Sequence, residues 1–128
     1  MTAITFDVPL PPRGCSPNGQ HGHWSTTSKA RRQYRAEVLI HALVAAGPHA
    51  RAKESRKVSL LFGTKDGRKR RNYQPRDVPN AVSAFKAGFD GLTDAGLLVD
   101  DSRTWMELGD VRIDNTVGPF VRVTVEAI

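Results

Sequence analysis

The spacing of apolar residues changes along this chain of 128 residues, and this change limits the possible folds more than any other feature. Over residues 80–95 apolar side chains recur three, four and three positions apart, which predicts one helix with a single buried stripe. The stripe consists of Val82, Phe85, Phe89 and Leu92. A second helix is predicted over residues 25–46, between a run of hydroxyl side chains and Gly47-Pro48.

Elsewhere the apolar residues alternate with polar ones, which is the spacing of half-buried strands. This pattern predicts strands at 4–8 and 57–62, and two further strands at 104–113 and 120–125. Helices and strands alternate early in the chain, and strands follow one another late. We therefore expect residues 1–128 to form one small α/β or α+β domain, with a mixed β-sheet packed against two main helices.

The net charge of +6 indicates a polyanionic partner, because an excess of lysine and arginine favours contact with phosphates. A basic surface without a partner is the alternative. No apolar run approaches the roughly 20 residues that cross a bilayer, so we expect no membrane contact and a cytoplasmic protein. The single cysteine, Cys15, excludes an intrachain disulfide.

The positive charge is concentrated in two segments. The first turns of the helix predicted over residues 25–46 contain four cations, at the end where the helix dipole disfavours them. These are Lys29, Arg31, Arg32 and Arg35. The second segment places five cations around Tyr73, an arrangement suited to a nucleic-acid strand. These are Arg68, Lys69, Arg70, Arg71 and Arg76. A solvated basic surface remains the alternative for both segments.

The segment RDVPNAVSAFKAGFDGLTDAGLLVDDS resembles the core of the RusA family of Holliday junction resolvases. The family pattern is Asp-x-Asp-Asn at a helix start, then Lys-x-x-x-Asp, then Ala-Gly and an Asp-Asp pair. The matching positions are Asp77, Asn80, Lys86, Asp90, Gly91, Ala95, Gly96, Asp100 and Asp101. A first strand followed by Pro-Pro, the loop SPNGQHGHW and the basic helix KARRQYR extend the resemblance upstream.

The resemblance implies a homodimeric endonuclease that cleaves branched DNA with Mg²⁺, or with Mn²⁺ in its place. Asp77 and Asp101 would be catalytic and would bind the metal, with Lys86 stabilising the transition state. Asp100 and Asp90 are further candidate metal ligands, and Asn80 is a secondary candidate or a helix cap. The implied DNA-binding residues are Asn18, His23, Trp24 and the nine basic residues named above.

Two departures from the family pattern leave alternatives open. Pro79 stands where a second metal-binding aspartate is expected, and the distance from Asp77 to Lys86 is three residues longer. A branched-DNA-binding relative without catalysis is therefore a second hypothesis, and a basic RNA-associated protein is a third. For Lys86, the alternative to catalysis is a simple ion pair with Asp90 one helical turn away.

Overall fold

A computed structural model describes residues 3–16, 24–47, 51–67 and 73–128. Its strands are β1 (Ile4–Val8), β2 (Arg56–Gly63), β3 (Met106–Asp114) and β4 (Phe120–Ala127). Its helices are α1 (Trp24–Ala46), α2 (Val78–Ala84) and α3 (Lys86–Asp94), with a short 3-10 turn at Arg13–Cys15. The predicted first strand and first helix are confirmed.

The four strands form one mixed sheet in the order β1-β4-β2-β3. β4 pairs antiparallel with both β1 and β2, whereas β3 pairs parallel with β2 at the edge of the sheet. The α+β fold class with a mixed sheet is thereby confirmed. Within the described ranges, no helix is both long and apolar enough to cross a membrane.

Buried and exposed side chains alternate along the strands, so the two faces of the sheet have different environments. One face of β2 and β4 is apolar and joins the helices in a single hydrophobic core. The opposite face is polar, with ion pairs between Asp7 and Arg122 and between Lys57 and Glu126. All three helices therefore pack against the same face of the sheet.

The helix predicted over residues 80–95 is in fact two helices, and this expectation was wrong. Phe85 separates them with ψ of 5°, and its amide hydrogen is shared among the carbonyls of the preceding turn. Its ring is fully buried, in edge-to-face contact with Tyr34, Phe62 and Phe89. The residue that separates α2 from α3 is therefore also the residue whose ring packs at the centre of this aromatic cluster.

The third predicted strand also begins later than expected, because Thr104 and Trp105 lie in a turn. That turn is closed by the amide of Trp105, which donates to the carbonyl of Ser102. The last strand extends two residues beyond its predicted end, since Glu126 and Ala127 pair with the start of β2. These shifts concern only the ends of the two strands.

α1 and α3 approach each other closely at Gly91. A Cβ atom at this position would lie 2.6 Å from the carbonyl oxygen of Arg35 and 3.0 Å from Cβ of Val38. A side chain at residue 91 would therefore push the helices apart. This close approach places the polar side chains of α3 directly beside the basic turns of α1.

Candidate functional site

A cleft of about 740 Å³ lies between the first half of α1 and the α2–α3 pair. Its cations are Arg31, Arg32, Arg35 and Lys86. Its hydroxyl groups belong to Thr27, Ser28 and Ser83. Cationic and hydroxyl donors together form the usual protein contacts to phosphate oxygens. The positive end of the α1 dipole lies in the same region and adds to the attraction for anions.

Cys15 also lines this cleft and is buried. Burial raises the pKa of the Cys15 thiol to about 11, although the nearby charge of Arg31 acts in the opposite direction. The thiol is therefore protonated at neutral pH. It adds no negative charge to the cationic lining.

Lys86 joins the cleft to two carboxylates. Its ammonium group donates a hydrogen bond to Oδ2 of Asp101 and lies 3.3 Å from Oδ1 of Asp90. The bond to Asp101 raises the pKa of Lys86, with the charges of both acids adding to the effect and burial opposing it. Lys86 is therefore a cation at neutral pH and acts as a hydrogen-bond donor.

Asp94 does not join its helical neighbours Lys86 and Asp90, although all three lie one turn apart on α3. Instead it accepts two hydrogen bonds from the guanidinium of Arg35, at 2.6 and 2.8 Å. This bond raises the pKa of Arg35 and lowers the pKa of Asp94. The charges of Asp90 and Asp101 also raise the pKa of Arg35, so the basic cleft and the acids interact electrostatically.

We expect the ion pair of Arg35 with Asp94 to contribute to stability only above the pKa of the acid. Since folding lowers that pKa, the contribution is complete above about pH 5 and disappears as the pH falls through the lowered value. Both side chains are partly exposed, so the coupling energy should be about 0.2–1 kcal/mol at neutral pH. Urea unfolding of Arg35→Gln, Asp94→Asn, the double variant and the parent measures it. An equal coupling energy at pH 7 and at about pH 2.5 would contradict the predicted loss of the ion pair at low pH.

Asp77 occupies a different place from the other predicted catalytic residues. Its Oδ1 accepts the amide hydrogen of Asn80 at 2.9 Å and caps the start of α2. It borders a second depression of about 640 Å³, which Arg112 and Asp114 also line. Pro79 lies in the first turn of α2, where a proline is favourable. The convergence of Asp77 with Asp101 on one cation stays a prediction.

The segment that contains Asp101 is attached to the start of β2 by hydrogen bonds. Nη1 of buried Arg56 donates to the carbonyl of Leu97 at 2.9 Å, and the hydroxyl of Ser55 donates to the carbonyl of Thr104 at 2.9 Å. The amide of Arg56 also donates to the carbonyl of Trp105. These bonds hold both ends of the connector on which Asp101 lies.

Sequence reasoning missed Arg56 and the cleft hydroxyls. Extending the alternation of Val58, Leu60 and Phe62 back by two residues would have placed Arg56 on the buried face. The hydroxyls of Thr27 and Ser28 were interpreted only as possible helix caps. Ser83 had no local signal, because its position at the cleft depends on how α2 packs.

The remaining predicted residues are placed as follows. Lys29 is exposed on α1, Arg76 is exposed before α2, and Asp100 is exposed beside Asp101. α1 begins at Trp24. Six predicted positions lie outside the described residues: Asn18, His23, Arg68, Lys69, Arg70 and Arg71. Their role in DNA binding stays a prediction.

The resemblance implies a Mg²⁺ ion bound by the acids of this site. In the described part of the chain, no three side chains among His, Cys, Asp and Glu form a group that could hold a metal ion. Asp90 and Asp101 nevertheless both contact the ammonium group of Lys86. Two carboxylates and retained waters are a common Mg²⁺ environment, so this pair fits the ion chemically.

Comparison of the sequence with known protein families and with curated proteins gives no match. The resemblance to the RusA family therefore stays a prediction.

Proposed function

We propose that this chain is a RusA-like endodeoxyribonuclease that cleaves four-way and other branched DNA with Mg²⁺, in the cytoplasm and as a homodimer. The observation that supports the proposal best is the position of Lys86. It lines the cationic cleft and contacts Asp90 and Asp101 at the same time. A phosphate bound in the cleft would thus lie beside the two carboxylates that hydrolysis needs.

In this proposal the cleft binds the DNA backbone. Arg31, Arg32 and Arg35 neutralise phosphates, and binding releases the counterions that had surrounded them. The hydroxyls of Thr27 and Ser83 donate hydrogen bonds that orient the strand. None of these contacts reads a base, so the affinity of the cleft depends on backbone geometry.

The hydrolysis forms a bond between a water oxygen and phosphorus and breaks one phosphorus–oxygen ester bond. Asp90 and Asp101 would hold Mg²⁺, which supplies Lewis-acid activation of the water and the phosphate when it is bound. Lys86 remains protonated, so it donates a hydrogen bond to a phosphate oxygen as negative charge develops there. Arg56 holds the connector through its hydrogen bond to Leu97 and thereby supports the position of Asp101 beside Lys86.

A catalytically inactive DNA-binding protein is the second candidate, and specific contacts favour it. Asp77 already serves as a helix cap, and Pro79 provides no metal ligand. The ammonium of Lys86 also already neutralises part of the charge of Asp90 and Asp101. Binding through the cleft would be retained in such a protein, because three of its four cations, Arg31, Arg32 and Arg35, lie on α1.

The test incubates the full chain with a synthetic four-way junction, a linear duplex and a single-stranded RNA at the same salt concentration. Paired nicks in the junction, formed with Mg²⁺ or Mn²⁺ and abolished by a chelator, support the nuclease. Tight junction binding without nicks in either metal supports the inactive binder. Preference for the RNA contradicts both and supports an RNA-associated protein.

We expect the double variant Arg31→Gln/Arg32→Gln to bind the junction about tenfold or more weakly at moderate salt. Each lost phosphate contact should also reduce the slope of log affinity against log salt by about one, hence by about two here. Fluorescence anisotropy at four salt concentrations measures both quantities. Lys53→Gln removes an exposed positive charge outside the cleft and is the control. An unchanged slope in the double variant would show that the cleft does not contact DNA.

A further inference from the structure

β3 has one side without a partner strand among the described residues, since it ends the sheet order β1-β4-β2-β3. Such an edge presents backbone N–H and C=O groups that can pair with another strand. Leu108, in the middle of β3, is 41% exposed. The edge therefore combines free pairing capacity with an uncovered apolar side chain.

A bulge divides β3 into two halves. Val58 of β2 pairs with Leu108, but Leu60 pairs with Val111, so β3 has one extra residue between these pairs. On the helix side of the sheet, Leu108 and Val111 are therefore both in line with the buried residues of β2. On the opposite face lie Glu107, beside Lys57, and Arg112, beside Leu61.

We propose that β3 pairs antiparallel with β3 of a second copy of this chain, about a two-fold axis between Gly109 and Asp110. In this register Glu107 of each copy lies opposite Arg112 of the other, on the polar face. The two-fold axis generates this ion pair twice. Opposite charges placed directly across an antiparallel pair are stabilising.

The apolar residues match in the same register. Leu108 lies opposite Val111 of the second copy, and Met106 lies opposite Ile113, all on the helix side. In a regular strand, a two-fold axis between two adjacent residues would pair side chains of opposite faces. The one-residue bulge removes this mismatch.

Neighbouring registers are less favourable. A shift of one residue places side chains of opposite faces against each other. If the register shifts by two residues, Glu107 lies opposite Asp114. Both are acids, and like charges directly opposite each other are destabilising. The bulge and the charges thus select the same pairing.

Charge also favours a second copy over DNA at this edge. β3 contains the acids Glu107, Asp110 and Asp114 and the single base Arg112, in a chain whose net charge is +6. A polyanion would be repelled here, whereas a second β3 offers both signs in matching order. The inference rests on the proposed function only for the purpose of the dimer, because two symmetric nicks need two sites.

The test is the mass of the full chain in solution, without DNA or Mg²⁺, by sedimentation equilibrium. We expect a dimer for the parent protein. Arg112→Glu should weaken the dimer at least about tenfold, because two attractive pairs become repulsive. The charge-swapped variant Glu107→Arg/Arg112→Glu should restore affinity to within about threefold of the parent, since the pairs form again in reverse.

Two further variants keep the result interpretable. Leu108→Asp should also dissociate the dimer, and circular dichroism of each variant shows whether it is folded. Val44→Asp changes an exposed apolar residue of α1, which lies with Ile40 and Leu43 on another uncovered surface, and should leave the dimer intact. A monomeric parent, a dimer that survives Arg112→Glu, a swap that restores nothing, or dissociation by Val44→Asp alone would each overturn the proposal. Nicking activity is measured separately, so the nuclease proposal can fail while this one stands.

Discussion

Asp101→Asn is expected to reduce metal-dependent nicking of a four-way junction by about a hundredfold or more. The substitution keeps the size of the side chain but removes a full negative charge that Mg²⁺ would need. It also removes a carboxylate that accepts a hydrogen bond from the ammonium group of Lys86. Single-turnover rates on a labelled junction, with saturating protein, measure the chemical step apart from binding.

Binding to the junction should respond in the opposite direction to cleavage. Loss of one acid beside a cationic cleft lowers the local repulsion of phosphates, so the affinity of Asp101→Asn should equal or exceed that of the parent. Glu54→Gln removes an exposed acid from the connector before β2 and is the matched control. If Asp101→Asn nicks as fast as Glu54→Gln, Asp101 has no role in catalysis.

Phe85→Ala is expected to lower the free energy of unfolding by about 3–5 kcal/mol, the range for large aromatic residues truncated in a core. Phe85 is fully buried at the junction of α2 and α3, where its ring contacts Tyr34, Phe62 and Phe89. The total free energy of unfolding of a natural domain is about 5–15 kcal/mol, so the variant should unfold at a clearly lower temperature. Urea and thermal unfolding followed by circular dichroism measure both effects.

The control for Phe85→Ala is Val44→Ala, at a side chain that is 80% exposed on α1. Its effect should stay within about 0.5 kcal/mol, as for surface substitutions in general. Equal losses in the two variants would contradict the central position of Phe85 in the core. Phe85→Ala should also disturb the position of Lys86 in the candidate site, because Lys86 follows Phe85 directly and α3 begins there.

The positions of the elements could be predicted because period-two and helical spacings are local properties of a sequence. The strand Ile4–Val8 and the burial of Phe85, Phe89 and Leu92 in the predicted stripe are examples, and the structure confirms both. The basic turns of α1 were also visible as a cluster. The side chains that these turns contact could not be predicted, because Arg35 binds Asp94, which lies 59 positions away in the chain.

The sequence predicted which residues belong to the candidate site, but only some of the contacts between them. Lys86 and Asp90 lie one helical turn apart, so their contact follows from local spacing. The contact of Lys86 with Asp101 depends on the connector, which Arg56 holds from a distant strand. Asp77 was expected to join them, but in the structure its carboxylate accepts a hydrogen bond from the amide of Asn80 and caps α2.

By itself, the sequence determined the number and type of most elements and the basic character of the chain, since these depend on spacing and charge alone. Only the tertiary structure decided the break at Phe85, the strand order β1-β4-β2-β3 and the partners of Asp94 and Asp101. The physical reason is that these features arise from contacts between segments far apart in the chain. Such contacts depend on how whole faces pack, and no local pattern specifies them.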